Sequence, residues 1–154
     1  VESEPLGTGG AIRLAAQRLQ GDGVHVLNGD TWLEYAPVAL EAAARDASTP
    51  MAIALARVDD VARYGAVDVR DGLARAFREK GDSGAGWINA GCYFLAADAL
   101  SALPRQAVYS FEREVLQPHA LAGDVAAFIE TSGFIDIGVP EDYARAQPMF
   151  AARR

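Results

Sequence analysis

Two aspartates each close an apolar, strand-like run. Asp30 ends Val24-His25-Val26-Leu27-Asn28-Gly29-Asp30, and Asp136 closes the stretch from Ala127-Phe128-Ile129 through Phe134-Ile135-Asp136-Ile137-Gly138. In an open α/β sheet, ligands gather at the carboxyl ends of strands, so two carboxylates delivered there could share one divalent cation. Gly29 precedes the first and Gly138 follows the second, which lets backbone or ligand come close without an intervening side chain. The competing explanation is two strand-end turns, where Asp is common in its own right. A third residue with chemical promise is Lys80: of 14 basic side chains, 13 are arginine and this one alone is lysine. A compact ammonium can reach a single phosphate oxygen in a way that a planar guanidinium does not reproduce, although one residue can also be an accident of composition.

The glycine-rich segment Pro5-Leu6-Gly7-Thr8-Gly9-Gly10 is neither of the familiar nucleotide loops. It has no Gly-Lys-Ser or Gly-Lys-Thr, and its third glycine falls at the wrong spacing for a dinucleotide fingerprint. What remains is a loop feeding the start of a helix, whose free N–H groups could face a phosphate or the edge of a base. The alternative is a plain glycine turn with Thr8 as the helix cap.

These residues need a framework, and the composition supplies one. A chain of 154 residues with 51% hydrophobic content can bury one sizeable core and is expected to form a single domain or part of one. The net charge of −7 and the absence of a basic run argue against a nucleic-acid or acidic-membrane surface. No apolar stretch approaches the roughly 18 residues that span a bilayer, and Val1-Glu2-Ser3-Glu4 does not resemble a signal segment, so a cytoplasmic protein is expected. Cys92 is alone, which leaves no disulfide framework or thiolate metal site and suggests a small buried residue. His25 in a strand and His119 at a helix end suit core or dipole roles better than catalysis.

The hydrophobic pattern predicts a helix after Gly10 to about Leu19 and a buried strand over Val24 to Leu27. It predicts a second helix from Pro37 to about Asp46 and a strand from Met51 to Val58. Asp71-Gly72 marks a hairpin between Tyr64–Val69 and Leu73–Lys80, inserted into the α/β alternation. A strand over Ile88 to Leu95 and a short helix near Asp98–Leu103 follow. Next comes a helix Phe111–His119 capped by Ser110, and then a last helix opened by Pro140 and running toward Arg153. The alternation predicts a mostly parallel, Rossmann-like sheet with helices on both faces.

Six pieces in order resemble the sugar-1-phosphate nucleotidyltransferases, or NDP-sugar pyrophosphorylases. They are Glu4-Pro5-Leu6-Gly7-Thr8-Gly9-Gly10-Ala11, Leu27-Asn28-Gly29-Asp30, Arg63-Tyr64-Gly65, Phe77-Arg78-Glu79-Lys80, Ile88-Asn89-Ala90-Gly91 and Phe134-Ile135-Asp136-Ile137-Gly138. The set is most similar to the mannose-1-phosphate and D-glycero-D-manno-heptose 1-phosphate guanylyltransferase branch, and Gly138-Val139-Pro140-Glu141-Asp142-Tyr143 leans toward the heptose enzymes.

The resemblance implies the nucleotide-diphospho-sugar transferase fold and Mg²⁺ held by Asp30 and Asp136. It implies nucleotide contacts from Leu6, Gly7, Thr8, Gly9, Gly10, Asn28 and Gly29. Lys80 would contact the sugar-bearing phosphate, making Asp30, Lys80 and Asp136 the catalytic set, while Gly65, Glu79 and Asn89 would form the sugar pocket. The implied partners are a nucleoside triphosphate, with GTP favoured, and a mannose- or heptose-type sugar 1-phosphate; self-association into a homo-oligomer is left open. Family members begin with an apolar strand, a glycine-rich loop carrying an arginine, and a Pro-Lys pair. Residues 1–154 start at the equivalent of the base-recognition loop, so a domain truncated at its amino terminus is expected. A rival of another class is a non-catalytic regulatory homologue that binds a sugar nucleotide without turnover. A Rossmann oxidoreductase fares worst for want of the dinucleotide glycines.

Overall fold

In β3 (Met51–Val58) the side chains alternate between two cores. Met51, Ile53 and Leu55 face one side of the sheet, and Ala52, Ala54 and Ala56 face the other, as the two-residue period of a strand requires. The large residues join Tyr93, Leu95, Phe111, Leu116 and Val125. The alanines join Leu40, Ala44, Ile88, Phe94 and Phe128. Small side chains on that second face let α2 (Pro37–Asp46) lie close to the sheet, with Leu40 and Ala44 fully buried. The computed structural model that shows this describes residues 4–151.

The main sheet runs in the order β1 (Gly23–Leu27), β6 (Gly86–Ala96), β3, β7 (Val125–Phe128), β5 (Leu73–Phe77), β4 (Val67–Arg70). Strands β1, β3 and β7 share one direction, and helical residues pack on both faces, Leu116 and Ala120 on one and Leu40 and Ala44 on the other. The ladders themselves are mixed, because β6 runs between β1 and β3 against both, while β3 and β7 pair in parallel. The cause is local: Val58 at the end of β3 lies opposite Gly86 at the start of β6. The link between them begins and ends at one edge, so β6 must run back. Within that link sits the expected hairpin, β4 to β5, turned by Asp71 and Gly72 at φ 54° and 72°, the backbone that an Asp-Gly two-residue turn favours.

A separate ribbon pairs β2 (Thr31–Glu34) antiparallel with β8 (Ser132–Asp136). Helix α1 (Gly7–Ala16) and α3 (Ala97–Ser101) flank the sheet. Glu112–Leu116 forms a π-helical turn that runs directly into α4 (Gln117–Ala122). The helix expected at Phe111–His119 thus extends to Ala122, where Gly123 ends it in the left-handed conformation. Ser110 Oγ accepts from the Arg113 N–H at 3.3 Å, the expected cap. Helix α5 (Pro140–Ala151) opens on Pro140 as expected; Arg153 lies outside the described residues.

Two expectations are corrected. Val24 to Leu27 form an edge strand and not a buried one: β6 alone pairs with it among the described residues, and Leu27 is 58% exposed. The run from Ala127 to Asp136 is two strands in different sheets. A turn at 129–131, in which the Thr131 N–H donates to the Ile129 carbonyl, and left-handed Gly133 redirect the chain out of the main sheet.

Candidate active site

The β2–β8 ribbon brings the two aspartates together. Thr31 lies opposite Asp136, and the Ile137 N–H donates to the Asp30 carbonyl at 2.9 Å, so the two residues stand side by side at one end of the ladder. The meeting was legible in the sequence but its route was not. Asp30 lies beyond the end of β1 and leads into β2, while Asp136 closes β8, so the pairing is made in the ribbon and not at the ends of neighbouring parallel strands. Asp136 Oδ1 accepts from the Gly138 N–H at 2.7 Å, and a Cβ on Gly138 would come within 3.0 Å of that oxygen. Asp30 Oδ1 is 3.4 Å from the Thr31 hydroxyl. Further carboxylate oxygens remain to bind a cation. Among the described residues no cluster of three or more His, Cys, Asp or Glu gathers. A set of two carboxylates suits Mg²⁺, which takes one or two from protein and fills its octahedron with water and phosphate oxygens.

Asp30 also borders a cleft of about 520 Å³, in the range of small-molecule sites. Thr8 and Ile12 line it from α1, Asn28 and Gly29 from the turn after β1, Tyr93 from β6, and Glu112 from the π-helical turn. Here the expected glycine loop is corrected, since α1 starts at Gly7 and the glycines form its first turn. Gly9 and Gly10 are buried against the segment at 107–109: a Cβ on Gly9 would fall 2.0 Å from the Tyr109 ring, and one on Gly10 would fall 2.1 Å from the Ala107 carbonyl. The Gly9 N–H already donates to the Tyr109 carbonyl at 3.0 Å, and the Leu6 carbonyl accepts from Tyr109 N–H. The ligand-facing role expected for Gly9 N–H is therefore taken by the protein. Thr8 is not the cap of its own helix. Its hydroxyl donates to Glu112 Oε2 at 2.8 Å and accepts from the Phe111 N–H at 2.9 Å, tying the start of one helix to the start of another.

Asn89, expected in the sugar pocket, is committed within the protein. Its Nδ2 donates to the Tyr93 hydroxyl at 2.9 Å and its Oδ1 accepts from the Gly91 N–H at 2.9 Å. These bonds hold a bulge in β6: Ala54 faces Cys92 while Leu55 faces Asn89, leaving Ala90 and Gly91 as extra residues. Gly91 sits at φ +69°, its carbonyl accepts from the Asn28 N–H at 2.8 Å, and a Cβ there would come within 2.7 Å of Asn28 Nδ2. Asn89 thus shapes the cleft through Tyr93 and Asn28. Burial, with the nearby Glu112 charge adding to it, pushes the Tyr93 phenol well above its ordinary range, so the phenol is neutral.

Gly65, Glu79 and Lys80 form a second assembly that does not line this cleft. Glu79 and Lys80 are exposed beyond the end of β5. Gly65 supports them at φ +83°, where a Cβ would strike the Arg78 carbonyl at 2.5 Å. The Arg78 N–H donates to the Ala66 carbonyl and the Gly81 N–H to the Ala62 carbonyl, stitching both loops together. The 60s loop also reaches toward Asp136. Arg63 stacks over Tyr64 and pairs with buried Asp142, which Arg145 also contacts at 3.0 Å. The hydrogen bond to Asp142 raises the Arg63 pKa further, and Asp136 adds a smaller pull of the same sign. Arg63 as a partner of Asp142, Tyr93, and Glu112 as a partner of Thr8 were missed as site residues. Glu112 was legible only as a helix-start acid, because its partner Thr8 is remote in sequence.

The chain belongs to the nucleotidyl transferase family, whose model matches residues 1–153. Among curated relatives it is similar to the D-glycero-alpha-D-manno-heptose 1-phosphate guanylyltransferase of Aneurinibacillus thermoaerophilus. The two are 35% identical over 147 residues, covering 96% of this chain and 64% of that one. It is 32% identical to the mannose-1-phosphate guanylyltransferase of Mycobacterium tuberculosis, covering 94% of this chain and 41% of the relative. The crystal structure of HddC from Yersinia pseudotuberculosis complexed with GMP-PN superposes with a TM-score of 0.83 at 38% identity, covering 97% of this chain and 64% of that chain. The chain therefore spans less than two thirds of the length of these relatives.

Proposed function

We propose that this chain carries the nucleotide and sugar-phosphate site of a sugar-1-phosphate guanylyltransferase. Such an enzyme joins a mannose- or heptose-type sugar 1-phosphate to GTP, giving a GDP-sugar and pyrophosphate. The observation that carries this reading is the β2–β8 ladder, which sets Asp30 and Asp136 side by side next to a cleft of nucleotide size. Relatives named as guanylyltransferases of heptose and mannose 1-phosphates support the same assignment, and do not favour a non-catalytic regulatory role.

A sugar phosphate oxygen attacks the α-phosphorus in line, a P–O bond forms, and the bond to the β-phosphate breaks with pyrophosphate leaving. The nucleophile is already an anion, so the protein needs neither a general base nor a covalent intermediate. Its task is to position two mutually repelling phosphates and neutralise them. Asp30 and Asp136 would hold Mg²⁺, which when bound supplies positive charge to the phosphate oxygens. Lys80 places an ammonium on the sugar-bearing phosphate and Glu79 accepts from sugar hydroxyls. The neutral Tyr93 phenol and Asn28 close the nucleotide side, positioned by Asn89.

A thermal-shift panel tests this reading, using the chain with GDP-mannose, GDP-heptose, UDP-glucose, dTDP-glucose and CDP-glucose, each with Mg²⁺ and with EDTA. A ligand at 100 times its dissociation constant adds about 2.7 kcal/mol, a rise of several degrees for a domain of this size. The expected result is a Mg²⁺-dependent shift with a GDP-sugar. A shift confined to another base, or one indifferent to Mg²⁺, overturns the assignment.

A further inference from the structure

The β4–β5 hairpin and α4 border a second, half-open cavity of about 610 Å³, whose lining includes Asp68, Arg70, Asp71, Arg75, Arg78 and Leu121. Three guanidinium groups converge there in a chain whose net charge is −7. Asp68 is already spent: it receives Arg78 through Nε at 3.1 Å and Nη2 at 2.8 Å, a forked pair. Arg70 and Arg75 form no ion pair among the described residues, so Asp71 is the remaining acidic side chain of the lining and the cavity carries an excess of positive charge.

Arg75 is seated where an accident of packing would not put it. The α4 helix ends on Gly123 at φ +87°, and a Cβ at that position would lie 2.6 Å from Arg75 Nη1, so the guanidinium fills the notch that glycine leaves. Its Nε is enclosed and has no hydrogen-bond acceptor. An enclosed Nε is out of reach of a ligand in the cavity, so the two Nη groups, which take part in no ion pair among the described residues, are the donors that remain for an anion. A planar fork held in place at the wall of a cleft is the geometry that receives two oxygens of a phosphate.

We propose that this cavity binds a phosphate group, with Arg75 and Arg70 as its principal ligands. The site lies on the hairpin side of β5, whose other end leads to Glu79 and Lys80, and it is independent of the Asp30–Asp136 pair. The test is ¹⁵N NMR titration of the whole chain with inorganic phosphate, ribose 5-phosphate and ribose at constant ionic strength in EDTA. We expect saturable shifts at the Gly72 and Gly123 amides with both phosphates and none with ribose. Tighter binding of ribose 5-phosphate assigns the site to a phosphorylated metabolite, and equal binding assigns it to free phosphate. Asp136→Asn leaves the affinity unchanged, while Arg75→Gln and Arg70→Gln each weaken it at least tenfold. Arg70→Gln decides the matter if Arg75→Gln fails to fold, since Arg70 is exposed. Non-saturating shifts, shifts confined to Gly29 and Gly138, or arginine variants that bind like the wild type overturn the proposal, as does a concentration-dependent dimer that occupies the cavity in their place.

Discussion

The two halves of the candidate site are built to different tolerances. Asp30 and Asp136 stand on paired backbone, locked by the Thr31–Asp136 register and the Ile137-to-Asp30 hydrogen bond. Glu79 and Lys80 stand exposed on a loop whose conformation rests on a glycine crossing at Gly65. On the proposed assignment the first pair would share one small cation, which needs fixed separation, whereas the second would meet sugar hydroxyls and a phosphate, which tolerate adjustment. The difference teaches where this fold spends its hydrogen bonds: on the carboxylates, and on the platform beneath the loop more than on the loop's own side chains.

The sharpest test of that contrast is Asp136→Asn. It removes a charge from the rigid half and keeps the shape. We expect metal-dependent turnover to fall on the order of 10²- to 10³-fold and the Mg²⁺-dependent thermal shift to vanish. The unliganded midpoint stays in place; a variant that kept its Mg²⁺ dependence would take Asp136 out of the site.

Gly65→Ala attacks the platform under the other half. The left-handed φ and the clash with the Arg78 carbonyl are expected to cost about 1–3 kcal/mol in urea unfolding. Sugar-phosphate affinity should fall while Mg²⁺ dependence persists, and loss of both would mean that the two halves are not separable. Lys80→Ala is gentler. Stability should stay within about 0.5 kcal/mol because the side chain is exposed, and sugar-phosphate affinity should fall roughly tenfold, the loss of one charged hydrogen bond. Unchanged affinity would leave the loop without a role.

The smallest effect is in pH. Burial raises the Tyr93 phenol, burial together with the neighbouring Cys92 pushes Tyr35 up to about 12, and burial also raises the Cys92 thiol. These acids are neutral in the fold and ionise more readily once unfolded. Their stabilisation is complete below the unfolded values of 9.0 for Cys and 10.0 for Tyr. It is lost as pH rises from there toward about 12. Chemical denaturation between pH 8 and 11 should show stability falling across that window, and Cys92→Ala should delay the fall.

Much of this was legible in the chain. Pro37–Asp46 and Met51–Val58 carry the periodicities of their elements without ambiguity, and Asp71-Gly72 announces its turn. Residue types and spacing raised the Asp30–Asp136 pairing, beside the alternative of two strand-end turns, and the ribbon sets the two residues side by side. What resisted reading depends on partners remote in sequence. Gly7 to Gly10 look like a loop until Tyr109 is set against them. Glu130-Thr131-Ser132-Gly133 marks a break between β7 and β8, but nothing local says that the second strand leaves the main sheet to pair with β2. The notch for Arg75 exists only because α4 ends at Gly123.

The β6 bulge carries a consequence for how such a protein can diverge. Gly91 has no room for a side chain because Asn28 fills the space above it, and its carbonyl is what orders the Asn28 backbone. A larger residue at position 91 needs both a smaller one at 28 and a different path for the turn into Asp30. The two positions are therefore coupled, and a side chain added at 91 has to be answered at 28.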